Sequence, residues 1–207
     1  MPACVNLMPR PIFRLALMLA AALAGLAAAP ARAWEPVEKV VPYAVSGTSG
    51  AALYASIGEN GPVIGGDRRT IAHTTFKLTW TRDYQKRGKA CVLASAVPKL
   101  TITYTLPRAG KLPPTVKARW DAFVEGIAAH ERVHGAHIIE MVREIEAVSQ
   151  GLSVAVDPKC EQVRVVLQAH LKRLSDRQRQ RGRDFDRIEM GGGGNIQQLI
   201  LELISGQ

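Results

Sequence analysis

The chain has 207 residues, 47% apolar, 22% charged and 5% aromatic, and 27 Lys+Arg against 18 Asp+Glu give a net charge of +9. This is the composition of an ordinary globular protein, and it excludes a disordered chain, a collagen-like chain and a multi-pass membrane protein. The positive surplus alone does not make a nucleic-acid binder, because its distribution decides what it can hold.

Residues 1–33 read as a secretory leader. Arg10 and Arg14 precede an apolar run from Leu15 to Ala29, and Ala31-Arg32-Ala33 is an A-x-A cleavage site. The run is too short for a typical membrane span; the alternative is an uncleaved N-terminal anchor. Met8 serves as a start as well as Met1 does. Cleavage after Ala33 removes Arg10, Arg14 and Arg32 and no acid, so the charge falls from +9 to +6. Cys4 leaves with the leader, and Cys91 and Cys160 remain. Two cysteines in an exported, periplasmic or secreted chain are predicted to form a disulfide.

The first strand is predicted at 37–45, with Pro42 suggesting an edge position. Gly47 to Gly50 is a turn, and 51–57 gives one or two helical turns closed by Gly58 and Asn60-Gly61-Pro62. Over 70–81, Ala72, Thr74, Phe76, Leu78 and Trp80 alternate with Ile71, His73, Thr75, Lys77 and Thr79, which is strand periodicity. A basic loop at 86–89 leads to a third strand at 91–96 or 100–106. Short loops between strands predict an antiparallel sheet. Pro107 and Pro113-Pro114 are expected to stop the strands, and Thr115 to cap a long helix over 115–148.

On that helix Trp120, Phe123, Ile127, His130, His134, His137 and Met141 follow steps of three and four, one inward stripe. A second helix is predicted at 158–174, with Val163, Val166, Leu167, His170, Leu171 and Leu174 on one side. The tail holds an Arg-rich run at 177–187, four glycines at 191–194 and a short apolar helix at 196–204. The expected class is α+β: a small antiparallel sheet packed against the long helix and a second C-terminal helix.

His130-Glu131-Arg132-Val133-His134 is an HExxH motif on the long helix. Residues four apart on a helix differ by about 40° in azimuth and one turn in height, so both imidazoles can reach one Zn²⁺. Glu131 lies about 100° from His130, beside the metal, where it can act as general base. Two satisfied core histidines are the plain alternative, but three histidines on one inward stripe would each need a partner there.

A catalytic zinc takes three protein ligands and keeps one position open. His137 lies about 10.5 Å from His130 along the axis, too far for easy convergence on a straight helix. The metzincin continuation fails, because 137 is His and 140 is Glu. Glu140 and Glu144 resemble the downstream glutamate of another zincin class and are candidates for the third ligand, although both lie on the same helix, where a charge one or two turns on is more often a solvated face. Asp184-Phe185-Asp186 could complete a His-His-Asp site from a helix that folds back, and spacing alone does not choose it. His73 and His170 read as ordinary surface or core histidines. Tyr104 has the chemistry of an oxyanion stabiliser, with nothing in the sequence to place it. The Arg-rich run is broken by Asp176, Asp184 and Asp186 and lacks stacking aromatics, which argues against nucleic acid and for a solvated face or contact with anionic envelope surfaces.

The segments YAVSGTSGAALYASIGENGP, TFKLTWT, the lone Cys91, LTITYTLP, and Trp120-x-x-Phe123 leading into HERVH resemble one bacterial secreted family. It is known as a domain of unknown function and labelled as predicted Zn-dependent proteases; the resemblance covers roughly 37–190. That family carries, after the HExxH helix, a motif like Tyr-Asp-x-x-Thr-x-His-Gly. Here Phe185 and Asp186 match it, Glu189 stands where Thr is usual, and the His is absent. The resemblance implies Asp186 as third ligand, in the manner of aspzincins. A zincin-like metallopeptidase domain is accordingly expected at 34–190, and the residues beyond it read as a Gly-rich hinge and short helix at 191–207.

The expected function is therefore an exported Zn²⁺ peptidase acting on a peptide or protein, with His130, His134 and Asp186 on the metal and Glu131 as base. The rivals are a zinc-binding envelope protein with a closed four-ligand site, through His137 or Glu140, and an inactive scaffold that binds a partner through its C-terminal helix.

Overall fold

The computed structural model describes residues 34–205; the predicted leader and cleavage site, 1–33, lie outside the described residues. In chain order the elements are β1 (Val37–Val45), α1 (Gly50–Asn60), β2 (Val63–Ile64), β3 (Arg68–Arg69), β4 (His73–Arg87), β5 (Ala90–Ala109), α2 (Pro114–Ser149), β6 (Ser153–Val154), α3 (Gln162–Glu189) and α4 (Asn195–Ser205). The class is α+β, as expected.

The sheet, however, is mixed rather than wholly antiparallel. Its order is β1-β5-β4, with β6 on the far end of β5. β4 and β5 form a long antiparallel hairpin closed at Gly88, which stands at φ +64. β1 pairs with β5 in parallel, Val37 opposite Thr101 and Val45 opposite Ala109. The reason is the connection after β1. It runs through α1 and the small β2-β3 hairpin, long enough to carry the chain across β5, which a parallel pair requires. Pro42 does lie on an edge strand.

Two proline expectations also change. β5 runs through both Pro98 and Pro107 as one strand. Pro98 pairs with Trp80 of β4 before β1 has begun at Thr101, and Pro107 pairs with Tyr43 of β1 after β4 has ended at Thr105. At each proline β5 has a neighbour on one side only, so the missing N–H can be spared. The long helix begins after Pro113, with Pro114 at its first position and no side-chain cap from Thr115. A fixed φ near −65° and an N–H that needs no partner suit proline there.

One side of β5 (Leu100, Ile102, Tyr104, Leu106) packs against Trp120, Phe123, Ile127, Ile138, Met141 and Val142 of α2. α4 belongs to the same core through Ile196 and Leu203, both fully buried. Its carbonyl at Leu203 passes so close to Gly50 that a Cβ there would lie 1.7 Å from the oxygen, so the start of α1 admits only glycine. Trp34 Nε1 donates to Glu146 Oε2 at 2.7 Å and ties the start of the described chain to α2.

α3 is longer than its apolar stripe predicts and absorbs the whole Arg-rich run. Its start is fixed by two devices. The Cys91 and Cys160 sulfurs lie 2.07 Å apart, at disulfide distance. Asp157 accepts from the backbone N–H of Glu161 and of Val163 through its two oxygens, each at 2.9 Å.

Both devices give testable expectations. The cysteines are 69 positions apart, and in the chain-entropy model a loop of that length stabilises by about 4 kcal/mol. Replacing both cysteines by serine should lower denaturant stability by roughly that amount, and thiol titration of the oxidised protein should find none free. For Asp157, loss of solvent pushes the carboxyl up, but the backbone N–H groups of Val163, Gln162 and Glu161 outweigh this and hold it below the usual carboxylate range. A depressed folded pKa contributes stability that is complete above the unfolded value, about 3.9, and lost as pH falls through the folded value. Asp157→Asn should therefore melt lower than wild type at pH 7, with the gap closing below about pH 4. A gap independent of pH would place the loss elsewhere.

Candidate metal centre

The HExxH residues lie mid-helix on α2, on the side that meets α3 and the start of β4. His130 Nε2 and His134 Nε2 are 3.1 Å apart. Asp186 reaches them from the last turns of α3, its Oδ1 3.1 Å from His130 Nε2 and 2.8 Å from His134 Nε2. Among the described residues these are the three groups whose ligand atoms converge. Gly182 of α3 faces the His134 ring, where a Cβ would sit 3.5 Å from Nδ1, an ordinary van der Waals contact.

Hydrogen bonding alone does not account for this triangle. Asp186 Oδ1 can accept from both imidazoles only if each carries its proton on Nε2, and then two N–H groups face each other. If the histidines bond to each other, one ring lone pair is left against the carboxylate oxygen. No placement of protons satisfies all three contacts, whereas one cation among them does. Tetrahedral bonds of about 2.1 Å set neighbouring ligands about 3.4 Å apart, close to the spacings here. The donor set thus fits a divalent metal.

The charges of the triangle are coupled. Burial pulls His134 down, but the hydrogen bond and charge of Asp186, aided by Glu131, hold its pKa above the ordinary histidine value. Burial raises Asp186, yet its bonds to His130 and His134 keep it well below the usual carboxylate range.

Glu131 is buried beside the triangle. Its Oε2 accepts from Thr74 Oγ1 on β4 at 2.5 Å. The group opens into a cleft of about 360 Å³, lined on the β4 side by Ala72, His73, Thr74 and Phe76 and on the α3 side by Gln178, Arg179, Gly182 and Arg183. Ile64 and Met190 complete its apolar wall. Phe185 stacks on the His130 ring, centroids 4.6 Å apart, and meets His134 and His137 edge-on.

The other candidates stand elsewhere. Glu140 is bound to Arg181 at 2.6 Å, and Glu144 pairs with Arg177. His137 stays outside the converging group; burial, Arg181 and His134 hold its pKa below the ordinary value. Tyr104 fits under α2 at Gly135, where a Cβ would meet its hydroxyl at 2.1 Å, and it donates to Glu38 rather than into the cleft. His170 faces Arg173 on the exposed side of α3. His73, read from sequence as an ordinary histidine, lines the cleft. Thr74, Phe185 and Glu189 acquire their places only through the fold. For Thr74 the sequence offers no signal beyond strand alternation.

A family model described as a bacterial protein of unknown function, DUF922, matches residues 40–194. No curated protein and no solved structure matches the chain.

Proposed function

The chain belongs to this bacterial family of unknown function, and we propose that it is an exported zinc-dependent peptidase. The observation that carries the reading is the convergence of His130, His134 and Asp186 beside the buried carboxylate of Glu131, in a cleft open to solvent. Zinc held by those three residues would supply a Lewis acid for a scissile carbonyl and lower the pKa of water towards about 7.

The chain's own residues do the rest. Thr74 fixes one Glu131 oxygen, leaving the other to take a proton from the attacking water and pass it to the leaving amine. The apolar wall of Ile64, Phe76 and Met190 suits the side chains of a peptide lying in the cleft. Export is supported by the leader-like 1–33 and by the cysteine pair at disulfide distance.

A nucleic-acid substrate is not favoured, since Arg177, Arg179, Arg181 and Arg187 of α3 are engaged with Glu144, Asp176, Glu140 and Asp184. The closed four-ligand site is not favoured either, because Glu140 is held by Arg181 and no fourth ligand group converges among the described residues.

The test is metal analysis of the exported protein together with digestion of a peptide library. Close to one zinc per chain is expected, with cleavage abolished by a chelator and restored by zinc. A zinc-loaded chain that cleaves nothing in the library overturns the peptidase reading. A metal-free chain that still cleaves overturns the role of the metal.

A further inference from the structure

His130 has two ring nitrogens, and the triangle uses one. The other, Nδ1, is fully buried and has no hydrogen-bond partner. An orphaned buried ring nitrogen is costly. Beside it stands Glu189, whose Oε2 is 3.9 Å away and whose side chain is only 20% exposed. That gap is too long for a hydrogen bond, and a side-chain shift of about 1 Å closes it.

The place of Glu189 is set from the C-terminal side. Asn195, the first residue of α4, brings its Nδ2 within 3.3 Å of the same Oε2. Three of the four glycines make this possible. After α3 the chain turns so sharply that a Cβ on Gly194 would lie 2.3 Å from the carbonyl oxygens of Ile188 and Glu189, and one on Gly191 2.6 Å from that of Arg187. Gly193 takes φ +82. The run therefore serves as a tight turn that folds α4 back, with Ile196 and Leu203 anchored in the core.

We propose that Glu189 is the positioning residue for His130: its carboxylate, held by Asn195, accepts the Nδ1–H and so keeps Nε2 unprotonated and aimed at the metal. The proposal rests on the metal reading of the site. It links α4, which touches no ligand, to metal affinity through Asn195, Glu189 and His130. A histidine that binds a metal commonly donates its other N–H to a carboxylate or carbonyl, and loss of that partner costs 10–100-fold in affinity.

The experiment measures zinc affinity of the full exported chain by competition with a chromophoric chelator, for wild type, Glu189→Ala, Glu189→Gln and Asn195→Ala. Glu189→Ala should weaken zinc binding about 10–100-fold. Glu189→Gln, which keeps an acceptor oxygen, should fall between it and wild type. Asn195→Ala should shift affinity in the same direction by less. Nitrogen-15 spectra of the zinc form should show His130 protonated at Nδ1, with slow exchange in wild type and fast exchange in Glu189→Ala. A merely structural Glu189 would lower the melting temperature of the metal-free protein and leave that exchange unchanged. If Glu189→Ala fails to fold, the Gln and Asn195 variants still decide. Affinities within twofold of wild type in every variant that folds overturn the relay alone. A wild-type chain without tight zinc binding overturns the metal reading, and the relay with it.

Discussion

Glu131→Gln should retain zinc and lose activity. The residue faces the cleft beside the three converging groups without being one of them. Glutamine keeps its shape and can still accept from Thr74, so the α2–β4 contact survives. What it loses is the carboxylate's ability to take a proton. A positioned general base contributes on the order of 10²–10⁴ in rate, so kcat on any cleaved peptide should fall by about that factor while zinc content stays near one per chain. The placement of Glu131 sharpens the test. Its carboxylate is held between α2 and β4 and bonded to Thr74, so the proton acceptor it offers is a positioned one. Unchanged turnover in this variant would remove Glu131 from the mechanism and move the search for a base to His73 on the cleft wall.

How much of this could be read from the sequence follows from the range of each interaction. The HExxH pair is local: four residues on one helix bring two imidazoles together whatever the rest of the chain does. β1 shows the same legibility, since its boundaries at 37 and 45 follow from strand residues and flanking turns. Its partner does not, because hairpin logic cannot see that α1 carries the chain across β5. Pro107 misleads for a related reason, as proline ends a strand only where a neighbour stands on the side its N–H would face. Asp186 lies 52 positions from His134, and the length of α3 brings it back. That length is hidden in sequence because the Arg-rich run has little apolar periodicity. Its arginines instead reach across to Glu140 and Glu144 of α2, the two acids that resemblance to another zincin class offered as ligands.

Asp186→Ala should separate the proposed metal site from the proposed base. Removing the carboxylate takes away one of three converging ligand atoms and leaves His130 and His134 facing each other at 3.1 Å. The loss of zinc affinity should exceed the 10–100-fold expected for an outer partner such as Glu189. A melting experiment reads this without any substrate. Zinc at 100 times the wild-type Kd stabilises a protein that binds only when folded by about 2.7 kcal/mol. A variant binding 100-fold more weakly keeps about 0.4 kcal/mol at the same concentration, so its zinc-induced rise in Tm should nearly vanish. His134→Ala should behave alike, and Glu131→Gln should show the full wild-type rise. Asp186→Asn discriminates further, because it keeps an oxygen in place and removes the charge that holds His134 above its ordinary pKa. If Asp186→Ala keeps the wild-type rise, the third ligand lies elsewhere. Glu140 and Glu144 would then have to leave Arg181 and Arg177 to reach the metal, and replacing those two arginines would strengthen zinc binding instead of leaving it unchanged.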